Sequence, residues 1–222
     1  MTNLILTCSW ERRRGLAAVI ACLLCMSGCG DLGGFVAHGL AGGSKAVIIE
    51  AQYRGLAGHS VAVLVAADER VVLYEPAIPD QIAEALAGQL AAHVPDARVL
   101  PAKQMAAFTT GRPDWPVTPY RRLLDELGVE RLLIVEILEY RLHEPGNVNV
   151  WQGVATAAVQ VIEHDSADPN NPQFAAMVTA QFPPGGRFGL VDAEAGAIRT
   201  GLNLILAREI GRLFHDYQVE TK

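Results

Sequence analysis

Four cysteines occur in the 222 residues, at Cys8, Cys22, Cys25 and Cys29, and none follows. From residue 30 onward there is no thiol for a disulfide, a thiolate zinc site or a cysteine nucleophile. Long apolar stretches are missing as well. No run reaches the roughly 18 uncharged apolar residues of a membrane span, which excludes a polytopic helical membrane protein. Basic residues are in deficit, 18 Lys and Arg against 24 Asp and Glu, for a formal charge of −6. A nucleic-acid partner therefore gains no electrostatic support. Charge is sparse at 19% while half of the residues are hydrophobic, the reverse of a disordered chain. The length suits one globular domain with short appendages.

The amino terminus reads as an address. Arg12, Arg13 and Arg14 precede an uncharged segment, residues 15–28, that is too short to span a bilayer stably. A basic block before a short apolar stretch is the pattern of a secretory signal peptide. The segment Met26-Ser27-Gly28-Cys29 resembles the lipobox of bacterial lipoproteins, with Met26 where Leu, Val or Ile is usual. The resemblance implies cleavage after Gly28 and an acyl lipid (palmitate-type) on the Cys29 sulfur. A lone unmodified thiol in an oxidising compartment would be a liability, and a lipid removes it. Loss of residues 1–28 takes away Arg12, Arg13, Arg14 and Glu11, leaving a more acidic remainder held by its lipid rather than by attraction to anionic headgroups. Gly30 follows Cys29 where some sorting schemes read Asp as an inner-membrane signal. By resemblance this points to the outer membrane.

Residues 29–44 carry Gly30, Gly33, Gly34, Gly39, Gly42 and Gly43, the composition of a flexible tether. No G-x-x-x-x-G-K-[ST] or G-x-G-x-x-G pattern accompanies them. Strands are expected at 46–50, 61–66, 131–142, 154–163 and 174–182, with 71–74 a further strand or loop edge and 98–100 a brief one. Helices are expected from Pro79 to Pro95, over 101–108 and 120–127, and from Ala193 to about His215, with Asp192 as cap. Gly128 is expected to cap the third. In 131–142, Leu132, Ile134, Leu138, Tyr140 and Leu142 are expected on one face and Leu133, Val135 and Ile137 on the other. Apolar residues on both faces mark a central strand. Glu136 interrupts the first face and is expected either as a buried structural charge paired with an arginine such as Arg54 or Arg208, or on a partly open sheet face.

These elements predict an α/β fold: one domain of two or three layers, a mixed β-sheet with helices packed on it, after a signal peptide and a Gly-rich tether. The boundaries are 1–28, 29–44, 45–217 for the domain, and 218–222 as a tail. The unit Leu123-Leu124-Asp125-Glu126-Leu127-Gly128-Val129-Glu130-Arg131-Leu132-Leu133-Ile134-Val135, with Val61-Ala62-Val63-Leu64-Val65, resembles segments of a group of envelope-assembly lipoproteins. That group includes the curli-secretion lipoprotein, the activators of peptidoglycan synthases and the TolB amino-terminal domain. Glu130 replaces the group's usual Asp, and Glu136 stands where glycine often follows the strand. The resemblance implies binding and assembly, and it transfers no catalytic residue.

Chemistry-bearing patterns are few. His38, His59, His93, His143, His164 and His215 form neither H-x-x-x-H nor H-E-x-x-H. His143-Glu144 and His164-Asp165 flank strand ends, where surface polar residues are common; a metal site would require them to converge. No G-x-S-x-G surrounds a serine. Aromatic and arginine residues at loops are the remaining candidates, because such residues dominate binding hot spots. They are Trp115 in GRPDWP, Trp151 in NVNVWQG, and Phe182, Arg187 and Phe188 in FPPGGRF.

The expectation is a non-catalytic binding or assembly module, lipid-anchored through Cys29, facing the periplasm from the outer membrane. Its partner would be an envelope protein or cell-wall component. No cofactor and no nucleic acid are expected, and self-association stays open. An oligomeric secretion-pore component and a periplasmic metal-dependent hydrolase are the two alternatives.

Overall fold

A computed structural model describes residues 45–185, 190 and 193–221. The expected signal peptide, the expected lipidation site Cys29 and the expected tether, with Arg187, Phe188 and Asp192, lie outside them.

The elements run β1 (Lys45–Ile49), β2 (Ser60–Ala67), α1 (Glu69–Tyr74), α2 (Ile78–His93), β3 (Arg98–Val99), α3 (Ala102–Gly111), a short 3₁₀ turn (Trp115–Val117), α4 (Tyr120–Leu127), β4 (Arg131–Glu144), β5 (Asn147–Glu163), β6 (Phe174–Phe182), α5 (Ala195–Gly211) and β7 (Tyr217–Thr221). Five strands form one mixed sheet in the order β3-β2-β4-β5-β6. β2 is parallel to β3 and to β4, whereas β4, β5 and β6 form an antiparallel meander. This confirms the mixed sheet with packed helices. β1, a strand as expected, pairs with β7 in a separate two-stranded sheet, and β7 takes up residues expected as a tail.

Helices cover both faces. On one, Ile78, Ile82, Leu86 and Leu90 of α2 and Leu202, Leu206, Ala207 and Ile210 of α5 meet Val61, Val63, Leu133, Val135, Ile137, Ala155, Ala157, Val159 and Val161. The four-residue spacing along α2 produces this stripe, and Pro79 sits in its first turn, where no amide donor is needed. On the other face, Met105 of α3 and Leu123 and Leu124 of α4 meet Ala62, Leu64, Leu132, Ile134 and Ile162. α4 ends as expected at Gly128, whose left-handed φ of 64° returns its amide to the last turn.

Several expectations change. Residues 69–74 form α1, not a strand, because Asp68 accepts a hydrogen bond from the Arg70 amide and starts a helix. α5 begins after Glu194 rather than at an Asp192 cap, and stops at Gly211, a poor helix former. Beyond it Phe214 turns inward onto Tyr53 and Phe174. β5 starts at Asn147, seven residues earlier than expected, because Pro145-Gly146 closes a tight hairpin with Gly146 at φ 80°. A β-bulge between Ile137 and Glu139 also shifts the register. Tyr140 and Leu142 therefore join the face of Ile137, against the larger cluster, and not that of Ile134.

Candidate functional site

The densest polar arrangement lies where β2 and β4 begin side by side. Arg131 opens β4 with its side chain 5% exposed. Its Nε donates to the Gly55 carbonyl at 2.9 Å, and its Nη1 to the Glu130 carbonyl at 2.9 Å and to Asp165 at 2.7 Å. Nη2 lies 3.3 Å from His59 Nε2. A guanidinium only donates, so Nε2 is the acceptor and the imidazole proton sits on Nδ1. Nδ1 in turn faces Glu130 Oε1 at 3.4 Å. The other Glu130 oxygen accepts from the Ser60 amide at 2.9 Å, the Ser60 hydroxyl at 3.1 Å and Arg98 at 3.1 Å. The Ser60 amide, then its hydroxyl, and then His59 hold the Glu130 carboxyl down to about 2. The Arg131 guanidinium likewise lowers Asp165. Tyr53 donates to Glu163, and burial followed by that carboxylate pushes its phenol up.

This network closes on itself. The Arg131 and Ser60 donors meet acceptors from the segment that leads into β2 (Gly55, His59), from Glu130 just before β4 and from Asp165 just after β5, so the network ties together the starts of the central strands. It sits where the parallel strands start, whereas ligands of open α/β sheets gather beyond their carboxyl ends. Nothing in the sequence reading singled out Arg131. The signal was an arginine opening a strand that is otherwise apolar on both faces, which needs buried partners.

The four residues of the conceivable metal site do not converge. His143 and Glu144 lie at the hairpin end of β4, where the His143 ring lies against Trp151, tilted by 38° with the centroids 3.9 Å apart. His164 and Asp165 follow β5 at the opposite end, held by Asp125 at 2.9 Å and by Arg131. Among the described residues, no group of three or more His, Cys, Asp or Glu side chains is placed to hold a metal. The hydrolase alternative loses the constellation it required.

Glu136 is exposed: of its two expected placements, the buried charge is corrected and the open sheet face is the one seen. It stands between Ala66 and Ala158 in the register, beyond the reach of α3 and α4. Arg54 and Arg208, its expected partners, pair with Asp216 and Glu209.

The aromatic candidates are divided. Trp115 is half-buried and packs on the smaller cluster. Its loop is held by Arg112, which pairs with Glu126 and Asp114, and by Thr118 donating to the Asp114 carbonyl. Trp151 and Phe182 come together at the hairpin end: Phe182 is opposite Gly153, and Trp151 pairs its backbone with Leu190 beyond the 183–188 loop. Phe182 also packs on the larger core, its ring filling the space over Gly201. The Pro116–Tyr120 segment lines a groove of about 390 Å³ with Asn170, and Val117 there is 85% exposed. Among the described residues, the aromatic candidates thus lie on two separate surfaces, Trp151 with Phe182 at one end of the sheet and Trp115 at the other.

No family model matches the chain, and no curated protein matches it. Solved structures do. Lipoprotein GNA1162 from Neisseria meningitidis is 12% identical, covering 63% of this chain and 89% of its own, with a TM-score of 0.44. The PelC dodecamer from Paraburkholderia phytofirmans is 13% identical over 77% of this chain and 99% of its own, with a TM-score of 0.43. CT253 from Chlamydia trachomatis is 18% identical over 69% and 94% of the two chains, also at 0.43.

Proposed function

We propose that the chain is a lipid-anchored, non-catalytic binding or assembly module of the bacterial cell envelope, facing the periplasm from the outer membrane. The observation that carries this reading is the amino-terminal sequence: a basic block, a short apolar segment ending at Cys29, and a glycine-rich tether, followed by a cysteine-free chain. The domain supports it in two ways. The polar network at the start of β2 and β4 is spent on internal partners. Meanwhile apolar side chains are presented outward at Leu73, Tyr74, Val117, Val148 and Met177. Binding is assigned first to the Trp151–Phe182 surface, with Arg187 and Phe188 on the adjoining loop.

The test is the fate of Cys29. Wild-type protein should sediment with membranes, and its amino-terminal peptide should begin at Cys29 and carry acyl mass. Cys29→Ser should move the protein to the soluble fraction. Fractionation on a density gradient places it in the outer or the inner membrane. Recovery of the wild-type protein with an unmodified Cys29 would overturn the anchoring. Unchanged partner recovery after Trp151→Ala combined with Phe188→Ala would overturn the assigned surface.

A further inference from the structure

β1 and β7 pair with each other and stand apart from the five-stranded sheet. Val47, Ile48 and Ile49 follow one another in β1 and are 48%, 62% and 40% exposed, and Val219 of β7 is exposed as well. Successive side chains of a strand point to opposite faces, so β1 is open on both. Valine and isoleucine are among the residues most often found inside a protein. A run of them turned outward marks a place where the chain meets something else.

The position of β1 in the chain says what that is. Lys45, its first residue, stands sixteen residues after Cys29. A chain of that length reaches about 55 Å at most. With an acyl lipid on Cys29, β1 is the described element nearest in sequence to the bilayer, and it is held within that distance of the surface. Charge narrows the kind of surface. Glu50 follows Ile49, Asp216 just before β7 is already paired with Arg54, and the chain carries −6. Anionic headgroups would repel this charge, so the attraction is apolar and the surface zwitterionic. The backbone limits the depth. A two-stranded ribbon has two free edges, whose amides and carbonyls find no partners in hydrocarbon. Headgroups and their water supply those partners.

We propose that the β1–β7 ribbon rests on a zwitterionic bilayer surface at headgroup depth, with Val47, Ile48 and Ile49 reaching toward the acyl chains, and so sets how the domain stands on the membrane. The proposal rests on the lipid-anchored reading above. Its consequence is an orientation. Phe214, three residues before β7, packs on Phe174 at the start of β6, whereas Phe182 closes β6 at the other end, opposite Gly153. A ribbon seated on the bilayer leaves the Trp151–Phe182 surface open on the far side.

The experiment places a spin label on full-length protein, extracted in detergent and returned to phosphatidylcholine vesicles. Ile48→Cys carries the label, and Leu204→Cys, at an exposed position of α5, is the reference. Contact of each label with dissolved oxygen and with a water-soluble nickel complex is measured. On the membrane the Ile48 label should gain oxygen contact and lose nickel contact by about fivefold relative to the Leu204 label. Adding phosphatidylglycerol to the vesicles should weaken that shift. A label at Val47→Cys should return to the values of water when Ile48→Glu is added, and thermal melting of that variant shows whether the fold is kept. Protein that does not float with the vesicles would overturn the anchored reading and the proposal with it. Protein that floats while its Ile48 label behaves like the Leu204 label would leave the anchor standing and overturn the docking. Loss of both oxygen and nickel contact at Ile48 would mean that another part of the chain or a second copy covers the ribbon, and would equally overturn it.

Discussion

The two faces of the sheet are covered to different depths. α2 and α5, of 16 and 17 residues, are each about 25 Å long and shield one face along its whole parallel section. α3 and α4, of ten and eight residues, reach only about 12–15 Å. Their cover stops at Ile134, and the next residue on that face, Glu136, is in water. Helix length, more than strand composition, decides where the second core ends. A carboxylate in an apolar strand therefore marks the rim of a layer here, and needs no buried partner.

If that contrast is right, truncation should be costly on the closed face. Leu206→Ala is expected to lose about 2–5 kcal/mol in urea denaturation, since its side chain is fully buried among α2, α5 and the sheet. A loss under about 1 kcal/mol would erase the distinction between the faces. Arg131→Ala should come next. It removes a guanidinium that holds Gly55, Glu130 and Asp165 together, at a cost of about 3 kcal/mol. A third test uses pH. The Glu130 carboxyl is lowered in the folded chain, so the unfolded chain binds the proton first on acidification. Its contribution is complete above the ordinary glutamate value near 4.5 and is lost as pH falls toward about 2. Glu130→Gln should flatten the stability profile across that window, while a parallel profile would show that the Ser60 contacts do not hold the ionised form. The smallest effect belongs to the open face: Glu136→Ala should change stability by no more than about 0.5 kcal/mol. A larger loss would return Glu136 to a structural role.

Much of this architecture was legible in the residues. The apolar spacing along α2, the alternation in β6 and the Leu127-Gly128 stop each follow from local rules, and each element is where those rules put it. What escaped was set by pairing. The side-chain alternation of β4 was readable, but the bulge after Ile137 depends on β5 and turns Tyr140 and Leu142 to the other face. β5 itself was read too short, because Asn147 to Gly153 mixes polar and apolar residues without a clean period. Helix α1 was missed because its start rests on one short contact, Asp68 to the Arg70 amide. At the site, the aromatic residues were visible, but their division between two ends of the sheet was not. Arg131 went unnoticed because its partners come from residues 55, 59, 163 and 165, which only the fold assembles.

The bulge in β4 has one more consequence. Across the ladder, Ile137 faces Ala157 and Tyr140 faces Ala155, so β4 spends three steps where β5 spends two. Leu138, 44% exposed, is the surplus tooth. A deletion in a paired strand ordinarily turns every following side chain inside out. Removing Leu138 does the reverse: Tyr140 would slide into the vacated step, still opposite Ala155 and still pointing inward. The central strand thus carries its own slack, one position at which it can be shortened without inverting what lies beyond.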